Sequence, residues 1–397
     1  MSAPLAVLAY SGGLDTSVTV RWLAERGYEV HAVTVDVGQR EDLVAVRERG
    51  ILAGASEVRV VQAVDRFAGD YLTRAIKANG LYEQKYPMVS SLARPLIAEE
   101  VIRVVRETGA RTVAHGCTGK GNDQVRFELA FAVLAPDVEV LAPIRDADIP
   151  REKALALAEE WGIPVADVAS AYSVDENLWG RTVECGPLED PWSAPTEDAF
   201  ERTAMIGPGP AAPTEVVLGF DDGLPIALDG EPLPLAALIR DLDRLGGSYG
   251  YGRVDMIENR RVGIKSRELY EVPGALAIIA AHRALEDLTL EREVAHAKPE
   301  IERRWAELVY DGQWFSPLRE ALDAFVDATQ RHVGGEVRLR FETGACTVVG
   351  RRSELSLYDL SLATYGSDDA FDQSDASGYI RLAGLPLRVW STVQGER

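Results

Sequence analysis

The run Ala9-Tyr10-Ser11-Gly12-Gly13-Leu14-Asp15-Thr16-Ser17 lies between an apolar stretch, Leu5 to Leu8, and a helical pattern, Val18 to Glu25. Adjacent glycines let backbone N–H groups close on an anion with no Cβ in the way, and the hydroxyls of Ser11, Thr16 and Ser17 add donors. A helix beginning here aims its unpaired amides and positive dipole end at the same point. Asp15 is the odd member, because a carboxylate beside phosphates repels them unless a divalent cation lies between. The combination points to a nucleotide with Mg2+, Asp15 being the metal's protein partner. The plainer alternative is a glycine-rich turn whose Ser and Asp cap a helix.

No Lys follows the glycines and the glycines are adjacent, so this is neither GxxxxGK[ST] nor GxGxxG. Ser-Gly-Gly-x-Asp-[Ser/Thr] instead resembles the diphosphate loop of enzymes that split ATP into AMP and diphosphate. A second dense motif, His115-Gly116-Cys117-Thr118-Gly119-Lys120-Gly121-Asn122-Asp123-Gln124-Val125-Arg126-Phe127-Glu128, also follows a strand pattern and precedes a helical one. Its three glycines expose backbone amides, while Thr118, Lys120, Asn122, Asp123 and Arg126 supply donors and acceptors. Phosphate alone needs no Asp123; an amino acid, with its ammonium and carboxylate, finds a partner for each charge here. Helix capping by Asn122-Asp123 and a surface ion pair at Arg126 would explain less of this density.

Tyr86-Pro87-Met88-Val89-Ser90-Ser91-Leu92-Ala93-Arg94-Pro95 runs from a turn into a helix. Its hydroxyls suit either a carboxylate, with Arg94 adding a bidentate bond, or a simple cap by Ser91. Ser173 to Thr182 and Val254 to Arg260, the latter continuing to Lys265 through Glu271, mix acid, amide and base. They read equally as solvated loops or as a pocket for a zwitterion. Gly246 to Gly252 reads as a tight connector or a flexible lid.

These residues need a scaffold. Up to about residue 165, strand-like and helix-like segments alternate, which is the pattern of a doubly wound parallel α/β sheet. Ligands of such sheets lie beyond the carboxyl ends of the strands, where Ser11, Asp36 and Gly116 fall. After Ile163-Pro164 the alternation stops, and helices over Leu235–Leu245, Gly274–Glu293, Glu300–Val309 and Pro317–Gln330 mix with hairpins at 216–228 and 336–351. The expected division is a nucleotide-binding domain over 1–165, an α+β domain over 166–365 and a C-terminal oligomerisation arm over 366–397.

Composition narrows the class. The chain has 397 residues, 46% apolar, 26% charged and a net charge of -21, so most of its surface repels nucleic acid. No run of about 18 apolar residues suits a membrane span, and Met1-Ser2-Ala3-Pro4 lacks a basic leader, so a cytoplasmic protein is expected. Cys117, Cys185 and Cys346 form no CxxC pair, and the five histidines show no ligand spacing.

Taken in order, AYSGGLDTS, YPMVSSLARP, HGCTGKGNDQVRFE, SVDENLWGRT and IENRRVGIKSRELYE closely resemble the argininosuccinate synthase family over essentially the whole chain. The resemblance implies a two-step ligase. The ureido oxygen of L-citrulline attacks the α-phosphorus of MgATP, diphosphate leaves, and the amine of L-aspartate then displaces AMP. It implies that Ala9, Tyr10, Ser11, Gly12, Gly13, Leu14, Asp15, Thr16 and Ser17 surround the phosphates, that Val35 meets adenine through its backbone, and that Gly116 touches the nucleotide. Thr118, Asn122 and Asp123 would hold aspartate. Tyr86, Ser91, Asn122, Arg126, Ser173, Thr182, Glu258 and Tyr270 would hold citrulline, Thr182 standing where some members carry Ser. Asp15, Ser17 and Asp123 are the implied catalytic residues, no side chain is an obvious general base, and a homotetramer is the implied assembly.

Overall fold

The computed structural model describes residues 3–164, 172–204, 212–366 and 370–395. Five parallel strands, β1 (Leu5–Ala9), β2 (Glu29–Asp36), β3 (Glu57–Gln62), β4 (Thr112–His115) and β5 (Glu139–Leu141), form a sheet in the order β3-β2-β1-β4-β5. Alternate side chains point to opposite faces of a strand. Val7, Val33 and Val113 therefore face one layer, while Ala6, Leu8, Ala32 and Ala114 face the other. The second layer contains α1 (Leu14–Glu25), α2 (Leu43–Ala53) and, after β5, a helix over Arg151–Glu160. The first is covered by α3 (Val89–Thr108) and by α4 (Asp123–Leu134). Both faces are covered, so the doubly wound reading holds, and strand order reverses between β1 and β4.

Two antiparallel sheets follow. One, in the order β11-β12-β7-β6, joins β6 (Ser173–Asn177), β7 (Gly180–Glu184), β11 (Arg253–Asn259) and β12 (Lys265–Glu271). The other, ordered β10-β9-β8-β13-β14, uses β8 (Thr214–Asp221), β9 (Leu224–Leu228), β10 (Glu231–Pro232), β13 (Gly335–Glu342) and β14 (Ala345–Arg352). Helices α5 (Leu235–Ser248), α6 (Pro273–Thr289), α7 (Arg292–Tyr310) and α8 (Pro317–Gln330) complete this part.

The β6–β7 and β11–β12 hairpins occupy the segments that sequence left between loop and pocket. Their alternation is hidden because both faces carry charge: Arg181, Arg253, Asp255, Arg267 and Glu271 lie on one side, and Asp175, Glu184, Glu258 and Glu268 on the other. The Gly246-Gly247 pair is no lid. It closes α5, where a Cβ on Gly247 would sit 2.2 Å from the Arg202 carbonyl and one on Gly246 would sit 2.9 Å from Pro273. The two helices expected over 274–293 and 300–309 are present with the break between them displaced: the first ends at Thr289, Leu290 is extended, and the second already starts at Arg292.

The described residues up to Leu355 form one compact unit, and those from Ser356 onward a second. Within the second, helices Asp375–Ala383 and Leu385–Gln394 leave Ile380, Leu382, Leu387, Trp390 and Val393 exposed. The expected domain boundary at 165/166 lies outside the described residues, as do residues 367–369 beside the expected start of the arm. No helix among the described residues is long and apolar enough to cross a membrane.

Candidate active site

The β1–α1 loop stands at the reversal point of strand order, where an open parallel sheet leaves a crevice. Gly12 has φ of +81°, and a Cβ there would meet Val46 at 2.9 Å, so the turn requires glycine. Arg49 donates to the Gly12 carbonyl. The loop is tied internally: Ser11 Oγ lies 3.1 Å from Thr16 Oγ1 and accepts the Gly13 N–H at 3.3 Å, while Tyr10 Oη lies 3.1 Å from Ser17 Oγ. No side chain caps α1, so its first amides remain free to bind an anion.

Asp15 opens that helix. Burial pushes its carboxyl pKa up, and Arg151 pulls it part of the way back. One carboxylate is no cage; it suits a Mg2+ whose remaining ligands are phosphate oxygens and water. Gly116, just past β4, packs against the same loop, where a Cβ would sit 3.1 Å from both the Asp15 carbonyl carbon and Thr16 Cα. Thus Ala9 to Ser17 and Gly116 do converge. Val35 is buried near the end of β2, and its carbonyl accepts from Gln39 Nε2 at 3.1 Å.

The second half of the cleft is made of side chains. Strand pairing aligns Asp175, Thr182 and Tyr270 across β6, β7 and β12, and places Glu184, Glu258 and Glu268 on the same face. This sheet packs on the start of α3, where a Cβ on Gly180 would overlap Val89 and Val272. Tyr86 stacks on Tyr270, with ring centroids 4.0 Å apart, and its hydroxyl accepts the Ser90 N–H at 3.1 Å. Ser91 Oγ is buried without a hydrogen-bond partner, so its own helix does not use it as a cap. Such an orphan beside a free helix amide fits a carboxylate ligand.

The acid cluster is unusual. Tyr270 Oη lies 2.8 Å from Glu258 Oε2 and 2.9 Å from Glu268 Oε2, and Arg260 donates to Glu268 Oε1 at 2.8 Å and to Glu184. Three carboxyl groups share one guanidinium. Burial, and then the charge of Glu268, push Glu258 up to about 8 and Glu184 up to about 7. A buried site with excess acid favours an ammonium.

Between the two halves stands Asp123. Its Oδ2 accepts from Arg94 Nε at 2.9 Å and its Oδ1 from Arg126 Nη1 at 2.8 Å. Burial alone would raise its pKa, but the two guanidinium groups outweigh burial and hold it well below the usual carboxylate range. Arg94 also binds Asp175 Oδ2 at 2.7 Å, which accepts from Ser90 Oγ at 2.6 Å. Arg94 therefore links the parallel sheet's helices to β6, in place of the free carboxylate fork that sequence suggested. Asn122 donates to Tyr310 Oη at 2.8 Å and accepts the Arg261 N–H at 2.9 Å, and Arg126 Nε donates to the Tyr310 carbonyl at 3.1 Å.

Of the sequence candidates, Tyr86, Asn122, Asp123, Arg126, Thr182, Glu258 and Tyr270 are partly or fully buried along this cleft. Thr118 is exposed on its loop, and Ser173 is exposed at the start of β6, across from Glu184. Asp175, Arg260 and Glu268 lie in the segments readable as loop or pocket without being singled out there, and Glu184 and Tyr310 lie outside them. For Glu268 the signal was present, two positions before Tyr270 on one strand face; for Tyr310, at the end of α7, no local signal exists.

Two family models match the chain: an arginosuccinate synthase N-terminal HUP domain over residues 5–164 and an arginosuccinate synthase C-terminal domain over 172–390. Among curated relatives, proteins named argininosuccinate synthase from Geobacillus kaustophilus and Halalkalibacterium halodurans are 52% and 51% identical over 397 residues, covering all of this chain and 98% and 97% of theirs. The one from Bacillus licheniformis is 52% identical over 389 residues, 98% of this chain and 96% of its own. A solved 4-thiouridine synthetase–RNA complex with bound ATP overlaps 40% of this chain and 41% of that one at 20% identity, with a TM-score of 0.31.

Proposed function

Since the chain belongs to the argininosuccinate synthase family, we infer each residue's task from that family's reaction. The enzyme is a ligase: ATP, L-citrulline and L-aspartate become AMP, diphosphate and argininosuccinate through a citrullyl-adenylate. The observation that supports assigning the reaction to this cleft is the close packing of Gly116 on Asp15 and Thr16, with the acid-rich sheet face beyond.

On this reading the free amides of α1 and the hydroxyls of Ser11, Thr16 and Ser17 hold the β- and γ-phosphates and stabilise the leaving diphosphate. Mg2+, with Asp15 as its protein ligand, supplies charge neutralisation when bound. Val35 reads adenine through its backbone, whose carbonyl accepts from Gln39 on one lone pair and keeps the other. Glu258 and Tyr270 take the α-ammonium of citrulline, Ser91 and the start of α3 take its carboxylate, and Thr182, Ser173, Tyr86, Asn122 and Arg126 direct the ureido oxygen at the α-phosphorus. Thr118, Asn122 and Asp123 orient aspartate. Asp123, ionised at neutral pH, faces the aspartate ammonium, which must lose a proton before its nitrogen attacks the adenylate carbon. A phosphate oxygen is the proposed acceptor. A cytoplasmic homotetramer, joined through the C-terminal arm over 366–397, belongs to the same proposal.

The test is diphosphate release with substrates omitted in turn. ATP with citrulline should exchange labelled diphosphate into ATP, and argininosuccinate should form only when aspartate is added. AMP formation independent of citrulline would overturn the reading.

A further inference from the structure

The stretch between β4 and α4 has no regular structure, and Thr118, Gly119 and Lys120 are exposed. Even so, its backbone is held at three points by side chains of its own domain. His115, wholly buried, accepts the Cys117 N–H on Nδ1 at 3.2 Å. That leaves the ring hydrogen on Nε2, which faces Glu128 Oε1 at 3.2 Å. Gln124 donates from Nε2 to the carbonyls of Gly119 at 2.6 Å and Gly121 at 3.3 Å, which fixes its amide orientation. Its Oε1 faces Arg145 Nη1 at 3.1 Å.

Both supports end on the same guanidinium. Arg145 Nη1 also donates to Glu128, Nε is anchored by Asp146 at 2.8 Å, and the stem of Arg145 lies against Gly119. The hydrogen bond from His115, with the pull of Arg145, keeps Glu128 below the ordinary carboxylate range and so charged. The far end of the loop is held separately, Asn122 by Tyr310 and Arg261, and Arg126 by Tyr310. Two anchoring systems thus divide one loop at Gly121.

We propose that Arg145 is a positioning residue that sets the Gly116–Gly121 backbone through Gln124 and the Glu128–His115 pair, and so governs ATP and aspartate while leaving citrulline to the start of α3, the Tyr310-held Asn122 and Arg126, and the β6-β7-β12-β11 sheet. The inference rests on the functional reading above for its substrates, since Gly116 and Thr118 are the residues assigned to nucleotide and aspartate. Arg145 touches no reacting atom on this reading; it acts through the backbone it holds.

The test is steady-state kinetics with each substrate varied in turn, on Arg145→Ala, Arg145→Lys and Gln124→Glu. The last is isosteric but turns an acceptor toward two carbonyls. Arg145→Ala and Gln124→Glu should raise KM for aspartate and ATP about tenfold, with KM for citrulline within about twofold, because a displaced backbone weakens only what it holds. Arg145→Lys, with one ammonium for two acceptors, should fall between. Equal movement of all three KM values, or none, overturns the proposal. Absence of argininosuccinate synthesis by the parent enzyme would instead defeat the functional reading. In the parent protein, 15N NMR of His115 decides the clamp without activity: Nε2 protonated and Nδ1 bare supports it, and the opposite tautomer overturns it.

Discussion

Citrulline affinity should depend on pH through the Glu258 carboxyl. Burial and the neighbouring Glu268 push that group up to about 8, so at neutral pH protonation competes with the carboxylate that an ammonium needs. The sign follows from the raised pKa: the charged form is lost as pH falls through the midpoint, so citrulline binding weakens below it, and above it binding holds only until citrulline's own α-ammonium loses its proton. Below that midpoint each unit drop in pH should raise the dissociation constant about tenfold. Glu268→Gln removes the charge and the carboxyl hydrogen bond that raise Glu258, and leaves Arg260 to Glu184. Its pH profile should shift downward by at least one unit. Calorimetric titration of citrulline into parent and variant from about pH 6 to 9 measures both curves. A parent dissociation constant constant across that range would show that Glu258 is not the ammonium partner, and equal midpoints in the two proteins would show that Glu268 does not set its acidity.

Three further outcomes are expected. Asp15→Asn should cripple citrulline-dependent diphosphate exchange more than citrulline binding, and a parent-like exchange rate would remove Asp15 from the metal's coordination. Gly12→Ala must place a Cβ against Val46 at positive φ, costing about 1–2 kcal/mol and at least tenfold in ATP affinity, seen by denaturant titration and nucleotide binding. Arg94→Ala strands Asp123 and Asp175, which retain partial water access, so a loss of about 2 kcal/mol in stability is expected on urea unfolding, and an unchanged midpoint would show that the link between α3 and β6 is dispensable.

The parallel sheet was legible because short valine- and alanine-rich strands alternate with helical segments, and the phosphate loop because backbone recognition leaves glycines behind. Gly12 and Gly116 are required by close approach, and that requirement is written in residue type. The amino-acid half was harder to read. Its strands carry charge on both faces, so β6, β7, β11 and β12 lack the apolar alternation that marks a half-buried strand. Glu184, Glu268 and Arg260 meet only because β7 and β11 both flank β12. Arg94 shows the opposite error: read beside two serines it resembles a carboxylate fork, yet Asp175, 81 residues away, claims it.

The division of labour also explains why the β4–α4 loop is so rich in polar types. Phosphate can be held by backbone amides, which any sequence with enough glycine supplies, whereas two amino acids must be told apart by side chains. The loop has to serve both regimes within eight residues, Gly116 packing on the phosphate turn and Asp123 meeting Arg94 and Arg126. A rigid helix would place these groups on fixed faces 100° apart per residue. An irregular segment pinned from two sides, by Arg145 through Gln124 and by Tyr310 through Asn122, sets each end separately. If that is why the segment is irregular, loosening one anchor should disturb one substrate set and spare the other, whereas a loop that merely connects β4 to α4 would transmit any loosening to all three substrates alike.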